Sequence, residues 1–257
     1  KTVADNALDA IIAIGGDDTC GVLHKLNNIS DPVVGVGIPQ TIDNDIPGTD
    51  YAIGFDTAVA IVADACDKLH TTAESHHRVM ILEVMGRDAG HIALEGGLAG
   101  GADIILIPEQ QFELDKICDR IKERKAAGKT FSIIVVAEGA KPAGEDQIVR
   151  TEKVDQFGHV LLGGIGEYLT TEVEKCTEIE SRVTILGHLQ RGGQPTAYDR
   201  VLATRFGVEA IDFVKRKLWD QMVSLRGNKV VAVPLGEALD GVKPVDPKLY
   251  ETAMLFY

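Results

Sequence analysis

Short apolar runs rich in Val and Ile recur along the chain, and longer stretches of mixed polarity separate them. The runs "DAIIAI" (9–14), "PVVGVG" (32–37), "RVMILEV" (78–84), "ADIILI" (102–107), "FSIIVVA" (131–137), "RVTILG" (182–187) and "KVVAVPL" (229–235) are predicted strands. Most lack strict alternation, the pattern of a strand covered on both faces in a parallel sheet. Helical periodicity falls between them, near 19–27, 55–73, 88–99, 113–127, 160–174 and 197–217. This alternation predicts an α/β fold, doubly wound, with mostly parallel sheets and helices on both faces. The polar segment 141–159 has weak periodicity and is predicted to be a surface excursion and a weak boundary candidate.

In such sheets ligands collect at the carboxyl ends of the strands, and the richest chemistry in this sequence sits there. "GGDDT" (15–19) follows the first strand, "GIPQTIDNDIPGTD" (37–50) the second, "MGRDAG" (85–90) the third, "PEQ" (108–110) the fourth, "EGAKP" (138–142) the fifth and "HLQRGG" (188–193) the sixth. Gly15 and Gly16 allow close backbone approach to a ligand, and the helix that follows offers free N–H groups to an anion. Asp17 and Asp18 supply the hard oxygen ligands that Mg²⁺ takes. Helix capping is the plainer role for such residues, and Thr19 alone would suffice for it. If the "QTIDND" loop is extended, Thr41, Asp43 and Asp45 project to one side. Phosphoryl transfer needs positioning, charge neutralisation and a base. Asp43 is the candidate base, and Asp45 joins Asp17 as a candidate metal ligand. Arg78, Arg87, Arg182, Arg191 and His188 are candidate anion contacts, since guanidinium forks bind phosphate in bidentate fashion. Surface ion pairs are the ordinary role of single arginines. Glu138, closing an apolar strand, is placed to accept hydrogen bonds, for which sugar hydroxyls are good donors.

The bulk numbers narrow the partners. The chain has 257 residues, 45% of them hydrophobic, and a formal net charge of -13, which argues against non-specific binding to nucleic acid or an anionic membrane. No apolar run approaches the roughly 20 residues that span a bilayer. Cys20, Cys66, Cys118 and Cys176 are widely spaced without a CxxC pair, so reduced thiols and a cytoplasmic location are expected. His76 and His77 are adjacent and diverge around a helix, with no HExxH spacing to support a zinc site.

The strings "GGDDT", "TIDNDIPGTDYAIGFDTA", "TTAESHHRVMILEVMGRDAGHIAL", "AGGADIILIPE", "VVAEGAKP" and "RVTILGHLQRGGQPTAYDR" together resemble the phosphofructokinase family. They run in order from Ile14 to about Arg205. The resemblance implies a glycolytic, Mg²⁺-dependent transfer of a phosphoryl group to the 1-hydroxyl of fructose 6-phosphate. It implies that Asp43 is the general base, with Thr41 beside the transferred group and Asp17 and Asp45 associated with Mg²⁺. Met85, Gly86, Arg87 and Glu138 match positions that hold the sugar, and Arg78, Arg182, His188 and Arg191 those that hold its phosphate. Arg87 also matches a position that steadies the transition state. Arg78 and Arg182 reach into a neighbouring subunit's site in this family, which implies a homodimer or homotetramer.

Gly16, Asp18, Thr19 and Gln40 are the expected donor-phosphate contacts. ATP-dependent members typically have Gly where Asp18 stands, and a carboxylate there would repel the nucleotide's α-phosphate. Asp18 thus favours pyrophosphate. Gln40 fits neither the Lys tied to pyrophosphate use nor the Gly frequent in ATP users. Family members also carry an N-terminal stretch with a Gly-rich loop for the donor, and nothing before Asp9 matches it. Either the first part of the chain is missing from this sequence or this is a reduced member. The whole of 1–257 is read as a phosphofructokinase-like catalytic region, with intertwined sub-lobes at 1–100 (donor and metal side) and 101–257 (sugar-phosphate side). The alternatives are an ATP-dependent enzyme and, in another class, a non-catalytic sugar-phosphate-binding subunit. A dehydrogenase is disfavoured by the lack of GxGxxG. Use of sedoheptulose 7-phosphate is left open.

Overall fold

The apolar runs become strands and the amphipathic stretches become the helices that cover them. The computed structural model describes residues 2–144, 149–154, 160–162 and 164–256. In chain order come α1 (Thr2–Asp5), β1 (Ile11–Gly15), α2 (Asp17–Asn27), β2 (Gly35–Thr41), β3 (Ile53–Gly54), α3 (Phe55–His76), β4 (Val79–Val84) and α4 (His91–Ala99). Next are β5 (Ile104–Leu106), α5 (Leu114–Ala126), β6 (Ser132–Ala137), β7 (Val149–Val154), β8 (Val160–Leu162), α6 (Ile165–Thr177) and β9 (Ser181–Ile185). A 3₁₀ turn (Gly187–Arg191), α7 (Ala197–Lys215), β10 (Gln221–Arg226), β11 (Lys229–Pro234), α8 (Leu235–Ala238) and α9 (Pro247–Met254) follow.

The chain forms two compact units, residues 1–56 with 194–243 and residues 57–193 with 244–257. The first holds a sheet in the order β1-β2-β10-β11, with β3 paired to β2. All its pairings are parallel except the β10–β11 hairpin. Alternation along the strands fills two cores. Val36, Ile38, Val223 and Leu225 pack with Leu202, Phe206, Ala210 and Phe213 of α7. Met222 faces the other way and packs with Cys20 and Leu23 of α2 and with Leu235 and Ala238 of α8.

The second unit is built on an all-parallel sheet in the order β5-β6-β4-β9. β4 and β6 are buried at every position, as a strand flanked on both sides and covered on both faces must be. Ile81, Ile104, Ile134 and Val136 pack with Ile117 and Ile121 of α5 and with Leu169 and Val173 of α6. On the opposite face α4 sits so close that a Cβ at Gly97 would strike Ile105.

Three expectations need correction. The division does not fall at residue 100: segment 57–100 joins the second unit, because β4 pairs in register with β6 and β9. Part of the expected excursion is strand β7, paired antiparallel with β8 where a helix was expected from 160. α6 begins only at Ile165. Residues 145–148 and 155–159 of that segment lie outside the described residues. The thiols are not all reduced either. α5 and α6 lie side by side, bring the Cα atoms of Cys118 and Cys176 to 6.1 Å, and a disulfide joins them. Cys20 and Cys66 are free and buried, and burial pushes both thiols up to about 11. Among the described residues no helix is long and apolar enough to cross a membrane.

The disulfide closes a loop of sequence separation 58. Loop closure of that length restricts the unfolded chain by about 4 kcal/mol. Cys118→Ser, or reduction of the parent, should lower the thermal midpoint by roughly 10 °C. Thermal denaturation with and without reductant checks this, and the variant should lose its response to reductant.

Candidate functional site

In the first unit β1 and β2 are parallel, with Gly15 at the end of β1 opposite Pro39, two residues before β2 ends at Thr41. Their loops therefore leave the sheet side by side, and a Cβ built on Gly16 would lie 3.9 Å from the Thr41 side chain. Gly16 is the extended N-cap of α2, and Asp17 and Asp18 form its exposed first turn. Carboxylates there are favoured by the helix dipole without any ligand. Thr19 folds back over Gly15 and makes no side-chain cap bond. Gln40, near the end of β2, is exposed.

The "TIDND" loop is held by its own polar groups. The Asp43 N–H donates to Thr41 Oγ1 at 3.2 Å. Asn44 is 3% exposed and left-handed, with φ 54°. Its Nδ2 donates to the Asp50 carbonyl at 3.0 Å, and its Oδ1 accepts from the Ala52 N–H at 2.9 Å. The Lys243 N–H donates to the Asp45 carbonyl at 2.7 Å. The loop is thus not extended through Asn44, and simple alternation does not carry Asp43 and Asp45 to one side. Asn44 is a buried staple, and Asp43 and Asp45 are half-buried on either side of it. Among the described residues no three His, Cys, Asp or Glu side chains gather as a metal cage. Mg²⁺ takes one or two carboxylates and fills its shell with substrate phosphates and water. The oxygen chemistry of Asp17 and Asp45 fits that mode.

In the second unit three loops meet at the carboxyl end of β4. The Glu138 N–H donates to the Val84 carbonyl at 2.9 Å, the Gly139 N–H to the Gly86 carbonyl at 3.1 Å, and the Leu186 N–H to the Glu83 carbonyl at 3.0 Å. Gly86 has φ +135°, and a Cβ on it would lie 2.8 Å from the Ala89 carbonyl oxygen. Only glycine meets both conditions. The Glu138 carboxyl accepts from the Gly86 N–H, and Arg87, Arg191 and His188 lie near enough to act on its charge. A carboxylate near two guanidinium groups at the carboxyl end of the sheet can accept from hydroxyls while the guanidinium groups hold a phosphate.

Two predicted residues are not there. Arg78 precedes β4, and Arg182 pairs with Met80 at the start of β9. They stand at the amino end of the sheet, roughly 20 Å of strand from Gly86. Arg78 Nε donates to Glu180 Oε2 at 2.6 Å, and Arg182 binds the other oxygen of the same carboxylate. A cavity of about 390 Å³ opens at that end, lined in part by His77, Lys125, Lys129 and Glu180. Sequence reading also passed over Glu83, whose buried carboxylate accepts from the Gly166 N–H at 2.8 Å and seats α6. Its position in "LEVMGR", a carboxylate inside an apolar run, was the available signal.

The family model for phosphofructokinase matches residues 1–214. The chain is 53% identical to a pyrophosphate–fructose 6-phosphate 1-phosphotransferase of Amycolatopsis methanolica, over 99% of this chain and 74% of that enzyme. It is 49% identical to an ATP-dependent 6-phosphofructokinase of Mycobacterium tuberculosis, over 100% of this chain and 74% of that enzyme. Among solved structures, a pyrophosphate-dependent phosphofructokinase from Marinobacter aquaeolei superimposes with a TM-score of 0.81 at 24% identity, covering 95% of this chain and 63% of its own. The Saccharomyces cerevisiae phosphofructokinase gives 0.79 at 26% identity, covering 99% of this chain and 35% of its own.

Burial pushes the Glu138 carboxyl up; Arg87, the Gly86 amide, Arg191 and His188 pull it back, and burial wins. The folded protein then holds this proton more tightly than the unfolded chain. Stability is present at low pH and is lost as pH rises from the ordinary glutamate range through the raised folded value. Glu138→Gln removes that loss, so the variant should be more stable than the parent at neutral pH, with a flatter stability profile across that window. Chemical denaturation across pH measures the effect.

Proposed function

Because the chain belongs to the phosphofructokinase family, we propose that it moves a phosphoryl group from pyrophosphate to the 1-hydroxyl of fructose 6-phosphate in the presence of Mg²⁺. The observation that carries the acceptor side is the cluster of Arg87, Arg191 and His188 around Glu138. Glu138 accepts from the sugar hydroxyls, Met85 and Gly86 shape the floor, and Arg191 and His188 neutralise the 6-phosphate. Asp43 accepts the proton of the 1-hydroxyl as its oxygen forms a bond to the donor's terminal phosphorus. The bond from that phosphorus to the second phosphate breaks, and orthophosphate leaves with the bridging electron pair. Arg87 offsets the negative charge that spreads over the transferred group. Asp17 and Asp45 would hold Mg²⁺, which would supply positive charge to neutralise the donor phosphates. Thr41, Gly16 and Thr19 contact the donor.

Asp18 supports pyrophosphate. It stands exposed in the first turn of α2, two residues after Gly16, where an α-phosphate would meet its charge. A second reading has ATP as donor: Gln40 is neither the Lys tied to pyrophosphate use nor the Gly frequent in ATP users, and an ATP-dependent relative is 49% identical. Arg78 and Arg182, remote from the cluster, are assigned to the 6-phosphate bound by a neighbouring copy, so the working assembly is at least a dimer. A binding-only subunit would have no use for Asp43.

Product formation from fructose 6-phosphate and Mg²⁺, with pyrophosphate and ATP compared on the full-length protein, tests this reading. Turnover with pyrophosphate alone is the expected result, and ATP alone overturns the donor assignment. Asp43→Ala should leave sugar-phosphate affinity within a few-fold and lower turnover by about 10²-fold or more. Asp18→Gly should raise the ATP-to-pyrophosphate ratio of kcat/KM roughly tenfold or more, the scale on which like charges discriminate.

A further inference from the structure

β4 and β9 pair in register from Val79 opposite Ser181 to Glu83 opposite Ile185. The Leu186 N–H to the Glu83 carbonyl, at 3.0 Å, is the next bond up the ladder. There the strands fork. β4 runs on into Met85, Gly86 and Arg87, whereas β9 turns into the 3₁₀ segment Gly187–Arg191. With β9 curling away, the Met85 N–H has lost the backbone acceptor that a continuing ladder would supply. It donates instead to Gln190 Oε1 at 2.7 Å. Gln190 is 1% exposed, and its Nε2 has no hydrogen-bond partner among the described residues. Leucine or methionine would fill similar space without an orphaned donor, whose burial is costly. What glutamine adds over either is the acceptor.

We propose that Gln190 is a positioning residue for the sugar-phosphate site: its side chain replaces the missing rung of the ladder and clamps the Met85–Arg87 loop to the His188–Arg191 turn. The loop carries the groups assigned to the sugar, and the turn carries those assigned to its phosphate. One hydrogen bond therefore sets the spacing between the two halves of a single acceptor pocket. This rests on the reading of that cluster as the fructose 6-phosphate site.

The test compares Gln190→Leu and Gln190→Glu in the full-length protein. Gln190→Leu should raise KM for fructose 6-phosphate tenfold or more and leave KM for the phosphoryl donor within twofold. Gln190→Glu keeps the acceptor and should return the sugar-phosphate KM to within threefold of the parent. Amide hydrogen exchange at Met85 should accelerate at least tenfold in Gln190→Leu and stay near the parent rate in Gln190→Glu. An unchanged Met85 exchange rate in Gln190→Leu overturns the clamp, whatever the kinetics. So does an equal rise in both KM values that Gln190→Glu fails to reverse. If the parent turns over fructose 6-phosphate with neither donor, the functional reading fails, while the exchange rates still decide whether the clamp exists. Should Gln190→Leu not fold, Gln190→Met removes the same acceptor at similar volume.

Discussion

β4 lies between β6 and β9, paired to β6 along its whole length and to β9 over most of it. A central parallel strand can shed its neighbours only where something else satisfies its peptide groups, because none of them reaches water. At the carboxyl end of β4 that requirement is met by the loops. Glu138, Gly139 and Leu186 donate to the Val84, Gly86 and Glu83 carbonyls, and Gln190 accepts from Met85. The need to finish the hydrogen-bond ladder thus fixes the loops that carry Arg87, Glu138, His188 and Arg191. Their precision is a by-product of burying β4.

The same logic operates on a smaller scale in the first unit, with side chains in place of strand backbone. Asn44 spends its whole amide on holding residues 50–52, and Thr49 Oγ1 accepts from the Leu225 N–H at 3.0 Å. The polar residues of this loop thus divide the labour. The most buried, Asn44 and Thr49, build the turn, and Asp43 and Asp45 stay half-buried beside it. Net charge sharpens the point. A chain at -13 repels anions at a distance, so a site for an anion in such a chain depends on short-range cations.

Much of this was legible beforehand. The parallel strands showed as unbroken apolar runs, and the glycine and acid motifs after them marked the carboxyl ends. What escaped had a non-local cause. β10 was missed because "QMVSLR" follows a long helix closely and alternates, with Met222 facing one core and Val223 the other. The Cys118–Cys176 pair is separated by 58 positions and meets only because α5 and α6 cover the same face. Arg78 and Arg87 looked equivalent as cations near strand β4, yet they flank opposite ends of it.

The sequence by itself determined the class of fold, the order of its elements and the residue types available for chemistry. These depend on periodicity and on motifs a few residues long, which every segment carries within itself. The tertiary structure alone decided which side chains serve the backbone. Asn44, Gln190 and Glu83 read as ordinary polar residues until the amides of Ala52, Met85 and Gly166 are brought to them. The demand for a partner arises at one place in the chain and is met at another, so no local pattern can announce it.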